Sequence, residues 1–311
     1  MKALVAPAYG PVDRIVITDV PTPAPGPEQI LVRVQAAALN PLDVALITGA
    51  MRELMPVEHP FVVGMDAAGI VAAVGERVSG FAVGDEVVAY THFHPGTIAE
   101  YTLVAEGPHV AHRPVGLDAV RGAALPAVSI TAECVLAAAE VTPGQTVLVV
   151  GAAGGVGAFT VQLLTRAGAR VLATASPADS DYVRGLGAQE IIDYTSSDTT
   201  QGALRHQPGG VDIAIDFVNR GPNLAGTATA VKPGGRLVST LMGPEAFDRG
   251  VTPVYVRMAA RDGQLQRLAD EAAAGRLTVE VTATYDIDDA PKAMAAFAAG
   301  QFTRGKIVIM C

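Results

Sequence analysis

The sequence of 311 residues has no tryptophan and only two cysteines, Cys134 and the last residue, Cys311. Two thiols exclude a disulfide framework and any zinc centre built from several cysteines. No apolar run approaches the ~18–20 residues of a membrane-spanning helix. The opening stretch MKALVAPAYG lacks a charged segment followed by an apolar one, so neither a signal peptide nor a membrane partner is expected. Positive charge is scarce as well, with 22 Lys and Arg against 31 Asp and Glu and a formal charge of −9. That field opposes a phosphate backbone, so no nucleic acid partner is expected. These absences point to a cytoplasmic protein that handles small molecules. Apolar residues are abundant at 50%, enough to build one large domain or two ordinary ones.

Two textures divide the chain. Up to residue 122 it reads as β-rich. Ile30, Val32 and Val34 alternate with Leu31 and Arg33, a half-buried strand, and Gly64, Gly69, Gly75, Gly80 and Gly84 punctuate short apolar runs. This spacing suits an antiparallel sheet or small barrel. From Ala123 to about Leu241, strand-like runs (147–150, 170–174, 190–193, 211–218 and 236–241) alternate with helical stretches such as 156–166, which Gly168 closes. That alternation predicts an α/β unit, a doubly wound parallel sheet covered by helices. Helices are expected over 264–274 and 290–299, and a closing strand over 306–310.

The segment TVLVV–GAAGGVG–AFTVQLLTRAG (146–168) runs strand, tight turn, helix. Glycines let a backbone approach a pyrophosphate, and the first helical N–H groups, unpaired and at the positive end of the helix dipole, are ready to receive it. A bare GxGxxG pattern is weak, but this one stands in the required context. The three glycine positions are Ala152, Gly154 and Gly157, so the first is replaced. Ala153, Gly154, Gly155 and Val156 are the expected cofactor contacts. The next strand, RVLATAS, ends in Ala175 and Ser176, where a carboxylate would grip a ribose diol and repel a 2′-phosphate. The absence of that charge favours NADPH, with Ser176 and Tyr194 as candidate contacts. The competing reading of Ser176 is a helix N-cap.

Taken together, these segments resemble the medium-chain dehydrogenase/reductase superfamily, and within it the zinc-free quinone oxidoreductase branch. The resemblance is carried by AAALNPLDVALITG (36–49), PFVVGMDAAGIVAAVGERVSGFAVGDEVVAY (60–90), LPAVSITAECVL (125–136), the glycine turn, LGAQEIIDYT (186–195), KPGGRLVSTL (232–241) and TRGKIVI (303–309). It implies a GroES-like β-barrel catalytic domain formed by 1–122 and 262–311, a Rossmann NADP(H)-binding domain over 123–261, and an active site in the cleft. Zinc members carry a Gly-His-Glu motif, which here is Gly64-Met65-Asp66, and a cysteine near the position of Asn40. Met65 is a poor zinc ligand. No metal is therefore expected.

Relatives also carry a tyrosine after Asn-Pro, where this chain has Asn40-Pro41-Leu42-Asp43-Val44-Ala45. The obvious proton donor is missing. Tyr90 and Asp43 are the candidate catalytic residues, set against readings of Tyr90 as a half-buried tyrosine and Asp43 as an N-cap. His92 and His94 share one side of an extended segment but lack a third ligand, which favours ordinary loop histidines. By resemblance, Asn40, Thr131, Val218, Thr240 and Leu241 approach the nicotinamide end. Arg304 and Lys306 lie in a segment returning to the cleft, the alternative for both being a solvated turn. Asp66 is expected to be structural, and Cys134 a small core residue.

The expected activity is NADPH-dependent, zinc-independent reduction of a quinone or an α,β-unsaturated carbonyl compound. Two rivals share these motifs: a tailoring enoyl reductase, and a non-enzymatic NADPH-binding sensor, whose only support is the missing tyrosine. A homodimer paired through the edge run VTPVYV (251–256) is expected, where Pro253 is tolerable only on an edge strand.

Overall fold

The computed structural model describes residues 1–92 and 96–311. The chain divides into two compact units, one of Met1–Ala127 with Ala260–Cys311 and one of Val128–Ala259. The expected joints were at 122/123 and 261/262. The short helix Ala119–Ala123 belongs to the first unit because it packs on the strands Gln29–Ala38 and Asp66–Val74.

The first unit contains two sheets. The larger runs Val281–Asp286, Lys306–Met310, Gln29–Ala38, Asp66–Val74, Glu86–Tyr90, Val110–His112, with Tyr101–Ala105 also paired to Gln29–Ala38. A three-stranded sheet, Val16–Asp19, Lys2–Ala6, Phe61–Val62, is linked to the neighbouring chain by a bridge between Ala3 and Ala99. The antiparallel pairing expected from the glycine spacing joins Gln29–Ala38, Asp66–Val74, Glu86–Tyr90 and Val110–His112. The long strand Gln29–Ala38 organises the unit. Ile30, Val32 and Val34 point inward, as their alternation predicts, while Ala36, Ala37 and Ala38 are all buried. That end of the strand is paired on both edges, since Ala38 lies opposite Asp66 on one side and Val308 on the other. The C-terminal strand is thereby brought beside the residues that follow Ala38.

The second unit is the doubly wound sheet. Six parallel strands run in the order Glu190–Asp193, Arg170–Ala175, Thr146–Val150, Val211–Asp216, Val231–Ser239, Thr252–Tyr255. Thr146–Val150 is buried along its whole length, as a central parallel strand must be. The strand order reverses around it, which is where such sheets hold ligands. The helix Gly155–Arg166 stops at Ala167, and Gly168 follows at φ 77, the left-handed conformation that ends a helix. The strand expected over 211–218 ends at Asp216, because that carboxylate accepts the N–H groups of Val218 and Asn219 and turns the chain. Thr252–Tyr255 is the terminal strand of the sheet, with Pro253 opposite Leu237. Among the described residues, no helix is long and apolar enough to cross a membrane.

Candidate functional site

The glycine turn meets the requirements of a pyrophosphate cradle. Gly151 takes φ 84 at the end of the central strand, a value a side chain would strain, and its N–H is held by the hydroxyl of Thr174 at 3.0 Å. Gly157 is needed for packing, since a Cβ there would lie 2.1 Å from the Gly151 carbonyl oxygen. Gly154 is different. A Cβ would meet only the Gly151 oxygen at 3.6 Å, so open space faces this residue. Gly154 is also the N-cap of the helix Gly155–Arg166 and supplies no side chain to cap it. The amides of the first helical turn are left for a ligand. Ala152 is fully buried, so the first glycine place has become part of the core.

At the same carboxyl edge of the sheet, the pairing of Ala175 with Asp193 sets Ser176 beside Tyr194, which is 46% exposed. The Ser176 hydroxyl donates to Asp179 Oδ2 at 2.9 Å and makes no cap bond. A carboxylate therefore stands against the position where the sequence showed none, because the turn Pro177–Asp179 folds Asp179 back. Val218 is exposed after the strand Val211–Asp216. Thr240 and Leu241 follow Val231–Ser239, and the Leu241 N–H donates to the Ser239 hydroxyl. Thr131 is half-buried on the helix Pro126–Ala139.

Four polar residues of the first unit converge in its interior. Lys306 Nζ donates to the Leu39 carbonyl at 2.7 Å and to Asn40 Oδ1 at 2.6 Å, and lies 3.5 Å from Asp66 Oδ2. Asn40 Nδ2 donates to Asp66 Oδ2 at 2.9 Å, and the Ala127 N–H donates to Asp66 Oδ1 at 2.9 Å. These hydrogen-bond partners of Asp66 are all donors and those of Lys306 all acceptors. The pair is an ammonium beside a carboxylate. Burial drives Asp66 up and Lys306 down, and each partly restores the other's charge. Asp43 accepts the N–H of Asn40 at 2.7 Å from the first turn of the helix Pro41–Thr48. Burial pushes its carboxyl up to about 7, against the pull of the Asn40 N–H and Lys306.

These contacts change three expectations. Lys306 is neither a solvated turn residue nor an open cation, because the strand Lys306–Met310 carries it into the interior. Asn40 has both polar atoms occupied. Asp43 is 1% exposed and serves the helix start. Arg304 lies at the strand entrance, paired with Glu280 at 2.6 Å. The buried thioether of Met65 is a poor zinc ligand, and the Lys306 ammonium beside Asp66 is a poor neighbour for a cation. Among the described residues no group of three or more His, Cys, Asp or Glu is arranged to hold a metal.

Tyr90 ends the strand Glu86–Tyr90, opposite Asp66 in register. Burial and then the charges of Asp66 and Asp43 hold its phenol well above the usual tyrosine value, so it stays protonated. No described residue makes a hydrogen bond to its hydroxyl. His92 meets His109, while His94 lies outside the described residues. Cys134 is half-buried, its Sγ 3.5 Å from the Ala259 carbonyl, and so is not the core residue expected. Sequence reasoning missed the Lys306–Asn40–Asp66 contacts, the His92–His109 pair and the reach of Asp179. The first two join residues far apart in the chain. The third was signalled by Ser-Pro-x-Asp, a tight-turn sequence.

The fold, a unit with a mostly antiparallel seven-stranded sheet and a unit with a doubly wound parallel sheet, is that of a dehydrogenase/reductase. Residues 26–140 match the alcohol dehydrogenase GroES-like domain, and residues 186–309 match the family described as zinc-binding dehydrogenase. The chain is 31% identical over 308 residues to the chloroplastic quinone-oxidoreductase QR1 of Triphysaria versicolor, covering 94% of this chain and 92% of that protein. It is 34% identical over 250 residues to the chloroplastic NADPH-dependent alkenal/one oxidoreductase of Arabidopsis thaliana, covering 77% and 62% of the two chains. A solved structure described as an NAD-dependent alcohol dehydrogenase superposes with TM-score 0.89 at 30% identity over 100% of both chains. The chain belongs to the zinc-free quinone oxidoreductase branch of the medium-chain dehydrogenase/reductase superfamily. It is an oxidoreductase of a family whose members bind NAD(P)H.

Proposed function

We propose that the protein is an NADPH-dependent, zinc-independent reductase of quinones or α,β-unsaturated carbonyl compounds. The observation that carries this reading is the glycine turn, whose helix start has no side-chain cap and faces open space at Gly154. When bound, the reduced nicotinamide supplies a hydride. The chain's own residues then do three things. Ala153, Gly154, Gly155 and Val156 bind the pyrophosphate through backbone amides and the helix dipole. Ser176 and Tyr194 flank the adenosine ribose, with Val218, Thr240, Leu241, Thr131 and Arg304 as further contacts. Tyr90 holds a proton on its hydroxyl for the reduced acceptor. Asn40, Asp43 and Lys306 position the helix start and are not proton donors. Conjugated acceptors suit such a site because they delocalise the charge that no metal is there to stabilise.

Anaerobic mixing with NADPH and a panel of quinones, enones and enoyl thioesters tests the reading. Acceptor-dependent loss of the nicotinamide absorbance is expected. If no acceptor speeds that loss, the reductase reading fails and the NADPH-binding sensor takes its place. Turnover confined to enoyl thioesters selects the tailoring enoyl reductase. In Tyr90→Phe, kcat is expected to fall about 100-fold with little change in KM, the scale of general acid catalysis. An unchanged kcat assigns protonation to solvent.

Use of NADH is a second reading of the cofactor, favoured by Asp179 beside Ser176. Comparing kcat/KM for the two nucleotides decides between them. We also infer a cytoplasmic homodimer, supported by the scarcity of cysteine and by the terminal strand Thr252–Tyr255. Sedimentation showing only monomer at micromolar concentration would remove the dimer.

A further inference from the structure

His92 and His109 form a feature that the reduction reaction does not use. The antiparallel pair Glu86–Tyr90 and Val110–His112 places Ala89 opposite Val110, and the Tyr90 N–H donates to the His109 carbonyl at 2.8 Å. The sheet thus pins the backbone of His109 to that of Tyr90. Two residues beyond Tyr90, His92 takes φ 50, a left-handed conformation that costs a residue with a side chain. Its ring meets that of His109, with Nε2 to Nε2 at 2.8 Å. The Tyr90 ring packs on both, with centroids 4.8 Å from His92 and 5.9 Å from His109.

The geometry of the pair is informative. The ring centroids are 4.1 Å apart and the planes inclined by 74°. Two imidazoles joined head-on through an N–H at this nitrogen separation would hold their centroids about 5 Å apart. The shorter spacing means that the rings lean away from the N···N line rather than meeting head-on. Nitrogen ligands about 2.0–2.1 Å from one ion are about 2.9–3.4 Å from each other in octahedral or tetrahedral geometry. The pair needs to open by only a few tenths of an ångström. Burial holds both histidines below their usual pKa, which leaves the neutral imidazoles that metal binding requires. His92 is nonetheless exposed enough for an ion and its waters to reach.

We propose that His92 and His109 form a two-imidazole clamp for a divalent transition metal of the nickel, copper or zinc type, with solvent completing the coordination. Without the ion, an N–H···N bond holds the pair. This site is separate from the Asn40, Met65 and Asp66 positions and is independent of the reductase reading.

Nickel titration of the full chain at neutral pH tests the clamp, followed by calorimetry and by NMR of the histidine rings. One Ni²⁺ per chain is expected. His92→Gln and His109→Gln are each expected to bind at least about tenfold more weakly, because each loses the chelate. Paramagnetic broadening is expected to reach the His92 and His109 ring signals before those of the other histidines. Equal affinity in the parent and both variants overturns the proposal, as does no binding or broadening centred elsewhere. Thermal melts verify that the variants fold, and if either does not, the ring signals of the parent decide alone.

Discussion

The glycine turn and the Lys306 cluster treat hydrogen-bonding groups in opposite ways. The turn leaves backbone donors without side-chain caps and keeps open space in front of Gly154. The cluster buries two carboxylates, an ammonium and a carboxamide, and saturates the ammonium and the carboxamide within the unit. Unsatisfied groups at a surface are available to a ligand at little cost, whereas an unsatisfied charge in the interior costs several kcal/mol. The first region leaves its donors open and the second spends them internally. Polar residues near a proposed active site therefore need not all be ligands.

Lys306→Met is the strongest way to break the comparison. It strands Asp66 without its cation and is expected to cost about 3–5 kcal/mol by chemical denaturation. Adding Asp66→Asn is expected to recover part of that loss. A loss below about 1 kcal/mol in the single variant would mean that the cluster is not holding the fold.

Asp43 sharpens the comparison through pH. Its folded pKa of about 7 lies above the unfolded carboxylate value of about 3.9. The group therefore stabilises the fold fully below the unfolded value, and that contribution disappears as pH rises through about 7. Asp43→Asn keeps the acceptor for the Asn40 N–H and does not titrate. Its melting temperature relative to the parent is expected to rise steadily between pH 4 and pH 8. A constant difference would place the carboxyl at an ordinary pKa.

The turn permits a contrast within itself. Gly157→Ala is expected to cost about 1–3 kcal/mol of stability through overpacking against the Gly151 carbonyl. Gly154→Ala is expected to melt like the parent while the Kd for NADPH rises about tenfold, because its methyl enters the cradle. If Gly154→Ala binds NADPH unchanged, the pyrophosphate does not lie there. The smallest effect is expected at Asp179→Asn. Removing its charge should raise the preference for NADPH over NADH about fivefold, and more so at low salt.

Local patterns were largely legible. The strand Glu190–Asp193 and the closing strand Lys306–Met310 have their expected bounds, and the helix Gly155–Arg166 begins one residue before its expected start. Asp216 illustrates the limit. Its side chain ended a strand that apolar periodicity alone extended to Val218. At the candidate site, the shape of the turn around Ala153–Val156 was legible because it is a backbone conformation, set by Gly151 at φ 84 and the close approach at Gly157. The assignments of Asn40 and Lys306 as contacts, and of Ser176 as free of nearby negative charge, depended on neighbours that residue types do not name.

The sequence by itself determined the glycine turn, the alternation that makes a parallel sheet, and the replacement of zinc ligands by Met65 and Asp66. These are properties of single segments, settled by local sterics, periodicity and side-chain chemistry. Only the tertiary structure decided that Lys306 reaches back to Asn40 and Asp66, that Asp179 turns onto Ser176, and that His92 meets His109. Burial and pairing are properties of places in the fold, and whether a charged side chain binds a ligand or holds the protein together is set by what surrounds it.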